Sequence, residues 1–199
     1  MSILTPIAPQ FATTGPTTIE SKGSNMFYDA DGNVMFTIEK KGVTVSGRIV
    51  IRDAESSHVG HIRKKKTSMI GRQLTYYLGT NRYDKIGAIK ATEETTSIDK
   101  CDCNIYLNDA LVGETRGNWA TKSFEIFIGG DVVAEIFRSV FTAKDGFCIK
   151  IEKSGVDTAF ILMIVMALGE IFGKKHDDDM SSSIQHKMLL SKERARSEG

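Results

Sequence analysis

The feature that most constrains the fold is an apolar run near the C-terminus, VDTAFILMIVMALGEIFG, at residues 156–173. No residue between Asp157 and Glu170 carries a charge. A helix of that length rises about 18 Å at about 1.5 Å per residue, whereas the hydrocarbon of a bilayer is about 30 Å thick. A helix that is apolar on every side must be surrounded by protein or by lipid. We therefore expect the rest of the chain to enclose this helix.

Both ends of the apolar run have the residues that begin and end helices. Asp157 can accept hydrogen bonds from the first free amides, and Gly173 can adopt the left-handed conformation that ends a helix. Lys174 and Lys175 follow, where positive charge is favourable at the negative end of the helix dipole. The β-branched residues of the run favour a strand, but its length and its caps favour a helix. We predict a helix over residues 157–172.

The chain upstream of this helix has the pattern of short strands joined by tight turns. Asp31 and Gly32 separate two alternating runs and predict a type I′ turn, in which both central residues have positive φ. Asn108 and Asp109 predict a turn, and Gly129 with Gly130 separates the clearest pair of strands. About eleven strand candidates result, and so many antiparallel strands close or fold over to protect their edges. The predicted fold is mainly β: a closed antiparallel β-barrel around a central C-terminal helix.

The chain is predicted to contain one domain with two flanking segments. Residues 1–24 hold all three prolines and form an extended lead-in, residues 25–173 form the barrel with its helix, and residues 174–199 form a polar, disordered tail. Three cysteines make an odd number without the spacing of a disulfide framework, and the N-terminus lacks the pattern of a signal peptide. We expect a cytoplasmic location, with peripheral membrane association or a nuclear location as alternatives, and no transmembrane span.

Positive charge is concentrated in one part of the chain. The net charge is only +1, yet Lys40 to Arg72 holds nine Lys or Arg residues and two acidic residues. The strongest candidates for binding an anionic lipid headgroup are five basic residues in this stretch, because such a group needs clustered donors and positive potential. They are Arg63, Lys64, Lys65, Lys66 and Arg72.

The alternation of side chains along a strand divides this basic run. Arg63 and Lys65 would share one strand face, and Lys64 and Lys66 the other. The alternative interpretation is a solvated hairpin end whose lysines protect a sheet edge. Nucleic acid is disfavoured as a partner, because the net charge is near zero and no pattern of basic and aromatic residues indicates a stacking surface.

Neither a metal site nor a catalytic site is predicted. Cys101 and Cys103 would share one strand face and could donate two thiolates to zinc, but further ligands are missing. Cys148 is isolated, and the alternation predicts that His58 and His61 lie on opposite strand faces. No catalytic motif accompanies the histidines, so we expect no enzyme activity and no cofactor. A deep pocket with paired titratable groups would revive the enzyme hypothesis.

The order of these features resembles the LURP-one-related family of the tubby C-terminal-like and phospholipid scramblase superfamily. The resemblance depends on the hairpins at Tyr28–Glu39 and Arg48–Lys66 and on the terminal apolar helix at Asp157–Phe172. It implies a barrel of about twelve strands threaded by the helix. Tubby relatives imply phosphoinositide binding, and scramblases imply membrane association. The chain has no cysteine-rich palmitoylation cluster, and no tubby-type pocket aligns with it, so no binding residue is transferred from the family.

The leading functional hypothesis is a non-enzymatic intracellular binding module. Its basic hairpin would meet phosphoinositide or other anionic lipid headgroups at a membrane surface. One alternative is a structural or protein-interaction scaffold without lipid affinity, in which the lead-in or the tail contacts a protein partner. A more distant alternative is a scramblase-like protein whose helix leaves the barrel for the membrane, which would forfeit about 25 cal/mol for each Å² of apolar surface removed from the core.

Overall fold

Twelve antiparallel strands form a closed barrel in the described part of the chain. The computed structural model describes residues 9–21, 25–41, 48–64, 75–81, 84–92, 100, 102–118, 121, 123–138 and 146–172. Each strand pairs with its neighbours in sequence, and the first pairs with the last. The strands are β1 (Thr17–Ser21), β2 (Met26–Tyr28), β3 (Val34–Lys41), β4 (Arg48–Asp53), β5 (His58–Lys64), β6 (Thr75–Gly79), β7 (Gly87–Ala91), β8 (Cys103–Leu107), β9 (Ala110–Asn118), β10 (Ser123–Ile128), β11 (Asp131–Arg138) and β12 (Phe147–Ile151).

A helix at residues 158–172, α1, forms the core of this barrel. All of its residues are buried except Met166, Gly169 and Glu170, which are partly exposed. The inward residues of the strands, such as Ile51, Leu78 and many others at period two, pack with the helix in one apolar cluster. The prediction of a closed antiparallel barrel of about twelve strands around the C-terminal helix is confirmed. Among the described residues, no helix combines the length and the apolarity needed to cross a membrane.

The start of α1 is fixed by Asp157, as the sequence predicts. The Oδ1 atom of Asp157 accepts hydrogen bonds from the amides of Ala159 at 2.9 Å and Phe160 at 3.1 Å. These contacts satisfy two of the amides that a helix leaves without a partner at its first turn. The predicted helix end, Gly173 with Lys174 and Lys175, lies outside the described residues.

The segment before the barrel covers the first turn of α1. The backbone of Thr13 exchanges hydrogen bonds with Val156 and Gly155, and the Thr13 hydroxyl donates to the Lys153 carbonyl at 2.7 Å. Residues 17–21 then form β1, which closes the barrel between β2 and β12, so the barrel begins within the segment treated above as a lead-in. The alternation of Ile19 and Ser21, both buried, places one face of this short strand on the core. The predicted tail, 174–199, lies outside the described residues.

One of two predicted turns has the expected backbone dihedral angles, and the other does not. Asn108 and Asp109 have φ of 48° and 64°, so the predicted turn between β8 and β9 is present with positive φ at both residues. Asp31 does not have positive φ, and Gly32 does, at 85°. The type I′ prediction at Asp31 and Gly32 was therefore wrong. The Asp29 carboxylate explains the difference, because it accepts hydrogen bonds from the amides of Asp31 and Asn33 and stabilises a wider turn.

We expect Leu162→Ala, in the middle of α1, to lower the free energy of unfolding by about 2–5 kcal/mol, because it leaves a cavity in the centre of the barrel. Leu162 is 0% exposed. The matched control is Leu111→Ala on β9, where the side chain is 61% exposed and the expected change is within about 0.5 kcal/mol. Urea denaturation of both variants measures the difference. Equal losses at the two positions would contradict the central place of the helix.

Candidate functional site

The outer surface of β4 and β5 brings two arginines directly opposite each other. The antiparallel register pairs Arg48 with Arg63 and Val50 with His61. Their neighbours Ile49 and Ile62 pair in the same register and are buried in the core, so the arginines and His61 lie on the outer face of the barrel. Like charges directly opposite each other on one sheet face are unfavourable unless a third group compensates.

A β-bulge in β5 adds a second histidine to this surface. The register with β4 shifts so that Gly60 is opposite Ile51 while His58 is opposite Arg52, which leaves Val59 as an extra residue. The rings of His58 and His61 consequently lie 6.0 Å apart. The prediction that the two histidines lie on opposite strand faces was wrong, because simple alternation does not hold across a bulge.

His61 is the most unusual polar residue of this surface. It is 0% exposed, and neither Nδ1 nor Nε2 has a hydrogen-bond partner among the described residues. Nε of Arg63 is likewise buried and without a partner there. Buried polar atoms of folded proteins are nearly always hydrogen-bonded, to protein, water or ligand. The buried nitrogens of His61 and Arg63 make this patch the candidate functional site.

Asp84 and His61 approach each other beside Gly79 of β6, where the absence of a side chain leaves room for both. A Cβ atom at Gly79 would lie 2.4 Å from Asp84 Oδ1 and 2.5 Å from His61 Cε1. Only a glycine allows this approach, and it places the carboxylate within about 5 Å of the imidazole. We call the group formed by Arg48, His61, Arg63 and Asp84 the arginine–histidine site.

The Asp84 carboxylate is held by its own loop. Its Oδ2 accepts the Thr80 hydroxyl at 2.7 Å, and its Oδ1 accepts the Asn81 amide at 2.9 Å. Although burial alone raises the pKa of Asp84, the hydrogen bonds from Thr80 and Asn81 lower it overall, so the carboxylate is charged. The Asp84 carbonyl also accepts a hydrogen bond from Arg63 Nη2 at 3.2 Å, which orients that guanidinium.

Burial and the charges around His61 keep its imidazole neutral. Burial first, and then the positive charges of Arg48 and Arg63, lower the pKa of His61 to about 4, while Asp84 opposes the shift. Burial and Arg48 also lower the pKa of His58. Among the described residues, the site therefore combines two guanidinium groups with neutral imidazoles and the Asp84 carboxylate. Guanidinium groups offer several fixed donors, which suit an anionic group.

The structure describes two of the five basic residues selected from the sequence, and these two lie on different strand faces. Arg63 belongs to the arginine–histidine site. Lys64 follows on the other strand face, opposite Tyr76, whose hydroxyl donates to the Glu170 carbonyl near the end of α1. Lys65, Lys66 and Arg72 lie outside the described residues.

The sequence reasoning missed Arg48 and His61 as site residues. The excess of basic residues from Lys40 to Arg72 includes Arg48 and was a usable signal. However, the pairing of Arg48 with Arg63 depends on the register between two strands, which the local pattern does not give.

The cysteines are free thiols in two different environments. Cys103 is buried on the inner face, and Cys148 is half-buried opposite Glu20 and Phe137. Burial, followed by the charge of Glu20, raises the pKa of Cys148. Cys101 lies outside the described residues. Within the described ranges, no group of three or more His, Cys, Asp or Glu residues could hold a metal ion.

The low pKa of His61 predicts that acid weakens the fold. The unfolded chain takes up a proton on this residue near its ordinary pKa of 6.5, whereas the folded chain does so only near 4. Between these values the unfolded state binds more protons, so stability falls as the pH falls. We expect the His61 contribution to decrease by about 2 kcal/mol from about pH 7 to about pH 5. Denaturation across this range should show His61→Gln with a shallower pH dependence than the unmodified protein and than the control His58→Gln. Identical pH dependences of His61→Gln and the unmodified protein would contradict the assignment.

Comparison with known proteins gives the family of this chain. A family model described as LURP-one-related matches residues 17–169. Protein LURP-one-related 10 of Arabidopsis thaliana is 23% identical over 163 residues, which cover 75% of this chain and 83% of that protein. The X-ray structure of a protein from Arabidopsis thaliana has a TM-score of 0.62 at 19% identity, covers 83% of this chain and 96% of its own, and shares the fold. The family suggested by the sequence is thereby confirmed, and the chain belongs to the LURP-one-related family.

Proposed function

We propose that this barrel is a non-catalytic binding module whose arginine–histidine site binds an anionic lipid headgroup at a membrane surface. The observation that supports the proposal is the pairing of Arg48 with Arg63 around His61, a buried histidine whose ring nitrogens have no protein partner among the described residues. Membership of the family accounts only for the barrel fold. The class of ligand is inferred from the chemistry of this site.

The charges of the site favour an anion over a neutral ligand. Asp84 is the carboxylate that acts on His61, and hydrogen bonds from Thr80 and Asn81 already engage both of its oxygens. Arg63 Nη2 donates a hydrogen bond to the Asp84 carbonyl, while its Nε is buried and has no partner within the described part of the chain. A phosphate or carboxylate oxygen is the acceptor that matches a guanidinium best. Binding would also offset the repulsion between the two arginines.

The neighbouring basic residues support a surface rather than a small free anion as the source of the ligand. Lys64 extends the positive charge toward the end of the barrel where α1 ends, near Lys40, which pairs with Glu170 at 3.0 Å. We expect Lys65, Lys66 and Arg72 to add to this charge. Each basic residue close to an anionic membrane contributes about 1 kcal/mol of attraction, so several together hold a protein at the surface.

A protein-interaction scaffold remains the second candidate function. Exposed apolar side chains on another part of the barrel favour it: Leu111 on β9 is 61% exposed and Phe137 on β11 is 40% exposed. Scattered exposed apolar residues are common on monomers, so these two weigh less than the arginine–histidine site.

The test is co-sedimentation with vesicles of phosphatidylcholine that contain phosphatidylserine and phosphatidylinositol 4-phosphate. We expect Arg63→Gln to weaken binding about tenfold, because it removes one charged hydrogen-bond donor group. Added salt should weaken the binding of the unmodified protein as well, because ions screen the attraction between exposed charges.

The matched control is Arg116→Gln on β9. This arginine is 63% exposed, pairs with Glu114, and lies outside the arginine–histidine site. It should bind vesicles as the unmodified protein does. Thermal unfolding of both variants checks that neither has lost the fold. Equal binding by Arg63→Gln and Arg116→Gln, or no binding by the unmodified protein at low salt, would refute the proposed function and leave the scaffold as the better candidate.

A further inference from the structure

A row of outward side chains runs from the arginine–histidine site across four further strands. Arg63 lies directly opposite Tyr77 of β6. The same row continues through Ala88 of β7 and Tyr106 of β8 to Leu111 of β9. Neighbouring strands are about 4.8 Å apart, so the part of the row from β6 to β9 spans about 14 Å. These four strands are neighbours in a ring of twelve, so their outer faces point to one side of the barrel.

A lysine lies over each of the two tyrosine rings in this row. Nζ of Lys85 is 5.0 Å from the centroid of the Tyr77 ring, and Nζ of Lys90 is 4.0 Å from the centroid of the Tyr106 ring. The ring attracts the cation, while the aliphatic stem of a lysine covers apolar surface and keeps its ammonium group in water. We call the five residues Tyr77, Lys85, Lys90, Tyr106 and Leu111 the tyrosine–lysine surface.

Leu111 adds an exposed apolar side chain to this surface. It is 61% exposed, the highest value of the large apolar residues in the described part of the chain, and it lies directly opposite Tyr106. Tyrosine is enriched where membranes meet water, lysine is attracted to anionic lipids, and apolar side chains enter the boundary of the acyl chains. Lysine is depleted in protein interfaces. The combination therefore suits an anionic lipid surface better than a protein partner.

One carboxylate at the edge of the tyrosine–lysine surface has the opposite effect. Asp109 lies in the turn between β8 and β9, pairs with Lys85 and has a side chain that is 82% exposed. An anionic membrane would repel this charge, so Asp109 should weaken the contact. Asp109→Asn removes the charge, and asparagine tolerates the positive φ of 64° at this position.

We propose that the tyrosine–lysine surface lies on the anionic membrane when the arginine–histidine site holds a headgroup, with Tyr106 and Leu111 at the boundary between headgroups and acyl chains. This inference rests on the proposed function and adds the face of the barrel that meets the lipid. The two regions are neighbours, because Arg63 and Tyr77 lie opposite each other on β5 and β6. Each contact holds the other close to the membrane, so the two strengthen binding together.

The experiment measures co-sedimentation of the full chain with phosphatidylcholine vesicles that contain phosphatidylserine and phosphatidylinositol 4-phosphate. Two variants have opposite expected effects. Leu111→Ala should weaken binding about fivefold, because it withdraws apolar surface from the lipid. Asp109→Asn should strengthen binding about fivefold, because it removes a charge that the membrane repels. A gain in affinity does not arise from loss of the fold.

The matched controls lie on the far side of the barrel, since β2 is opposite β8 in the ring of strands. Met26→Ala on β2 removes an apolar side chain that is 47% exposed, and Asp31→Asn removes an exposed carboxylate from the turn that follows. Both should bind vesicles as the unmodified protein does. Arg116 is five residues beyond Leu111 on β9, about 17 Å away at about 3.4 Å per residue, and lies outside the tyrosine–lysine surface.

A second measurement needs no substitution. Nanodiscs of the same lipids with a nitroxide-labelled lipid attenuate the NMR signals of amides close to the membrane. The amides of Tyr106 and Leu111 should lose intensity, and the amide of Met26 should keep it. Greater loss at Met26 than at Leu111 would contradict the proposed orientation.

The outcomes separate this inference from the proposed function. Vesicle binding that depends on Arg63 but not on Leu111 or Asp109 would overturn the inference and leave headgroup binding intact. Binding that Leu111→Ala and Asp109→Asn change while Arg63→Gln leaves it intact would support the tyrosine–lysine surface and refute the arginine–histidine site. A dimer in sedimentation velocity that Leu111→Ala dissociates without changing vesicle binding would assign the surface to a second copy of the chain. No binding by the unmodified protein at low salt would refute both proposals.

Discussion

The structure depends on the mutual burial of one apolar helix and a closed sheet. α1 exposes almost no surface to solvent, and the inward residues of all the strands pack in the same cluster as the helix. A barrel of twelve strands is too wide for its own side chains to fill, and an apolar helix of fifteen residues has no other place to bury every face. Closure also removes the sheet edges that would otherwise pair with other chains. Neither part has a stable arrangement without the other, because each supplies the apolar surface that the other must cover.

The packing between the helix and the sheet also determines which side chains lie on the outer face of the barrel. A slip of either strand by one residue would turn its arginine toward the core, so the packing of Ile49 fixes Arg48 outside and the packing of Ile62 fixes Arg63 outside. The bulge at Val59 then changes the alternation and brings His58 to the same side as His61. Gly79 allows Asp84 to approach the imidazole, where any side chain would collide. The arginine–histidine site is thus a consequence of register, one bulge and one glycine, on a barrel that packs around the helix.

The burial of His61 lowers the stability of the folded state, and core packing gives no reason for it. The buried imidazole has no partner for either ring nitrogen among the described residues, so it loses the hydrogen bonds that water would make. Burial first, and then the two adjacent guanidinium groups, oppose its protonation. Such groups are concentrated at functional sites, where the ligand supplies the missing partners. Burial is the largest cause of the low pKa of His61, and the positive charges of Arg48 and Arg63 come after it.

The sequence by itself determined the helix, the barrel and the family. The uncharged run at residues 158–169 favours a helix buried in the core of its own chain, because it is too short to cross a bilayer. Asp157 begins the helix because its carboxylate caps the first amides locally. It also located the basic part of the chain and selected Arg63, because composition and alternation are local properties. Only the tertiary structure decided the partners of Arg63. Arg48 meets it through strand pairing, Asp84 reaches His61 through a loop and a glycine, and the bulge overturned the predicted separation of the histidines. These contacts join residues far apart in the chain, and their geometry is set by packing on the helix rather than by any local pattern.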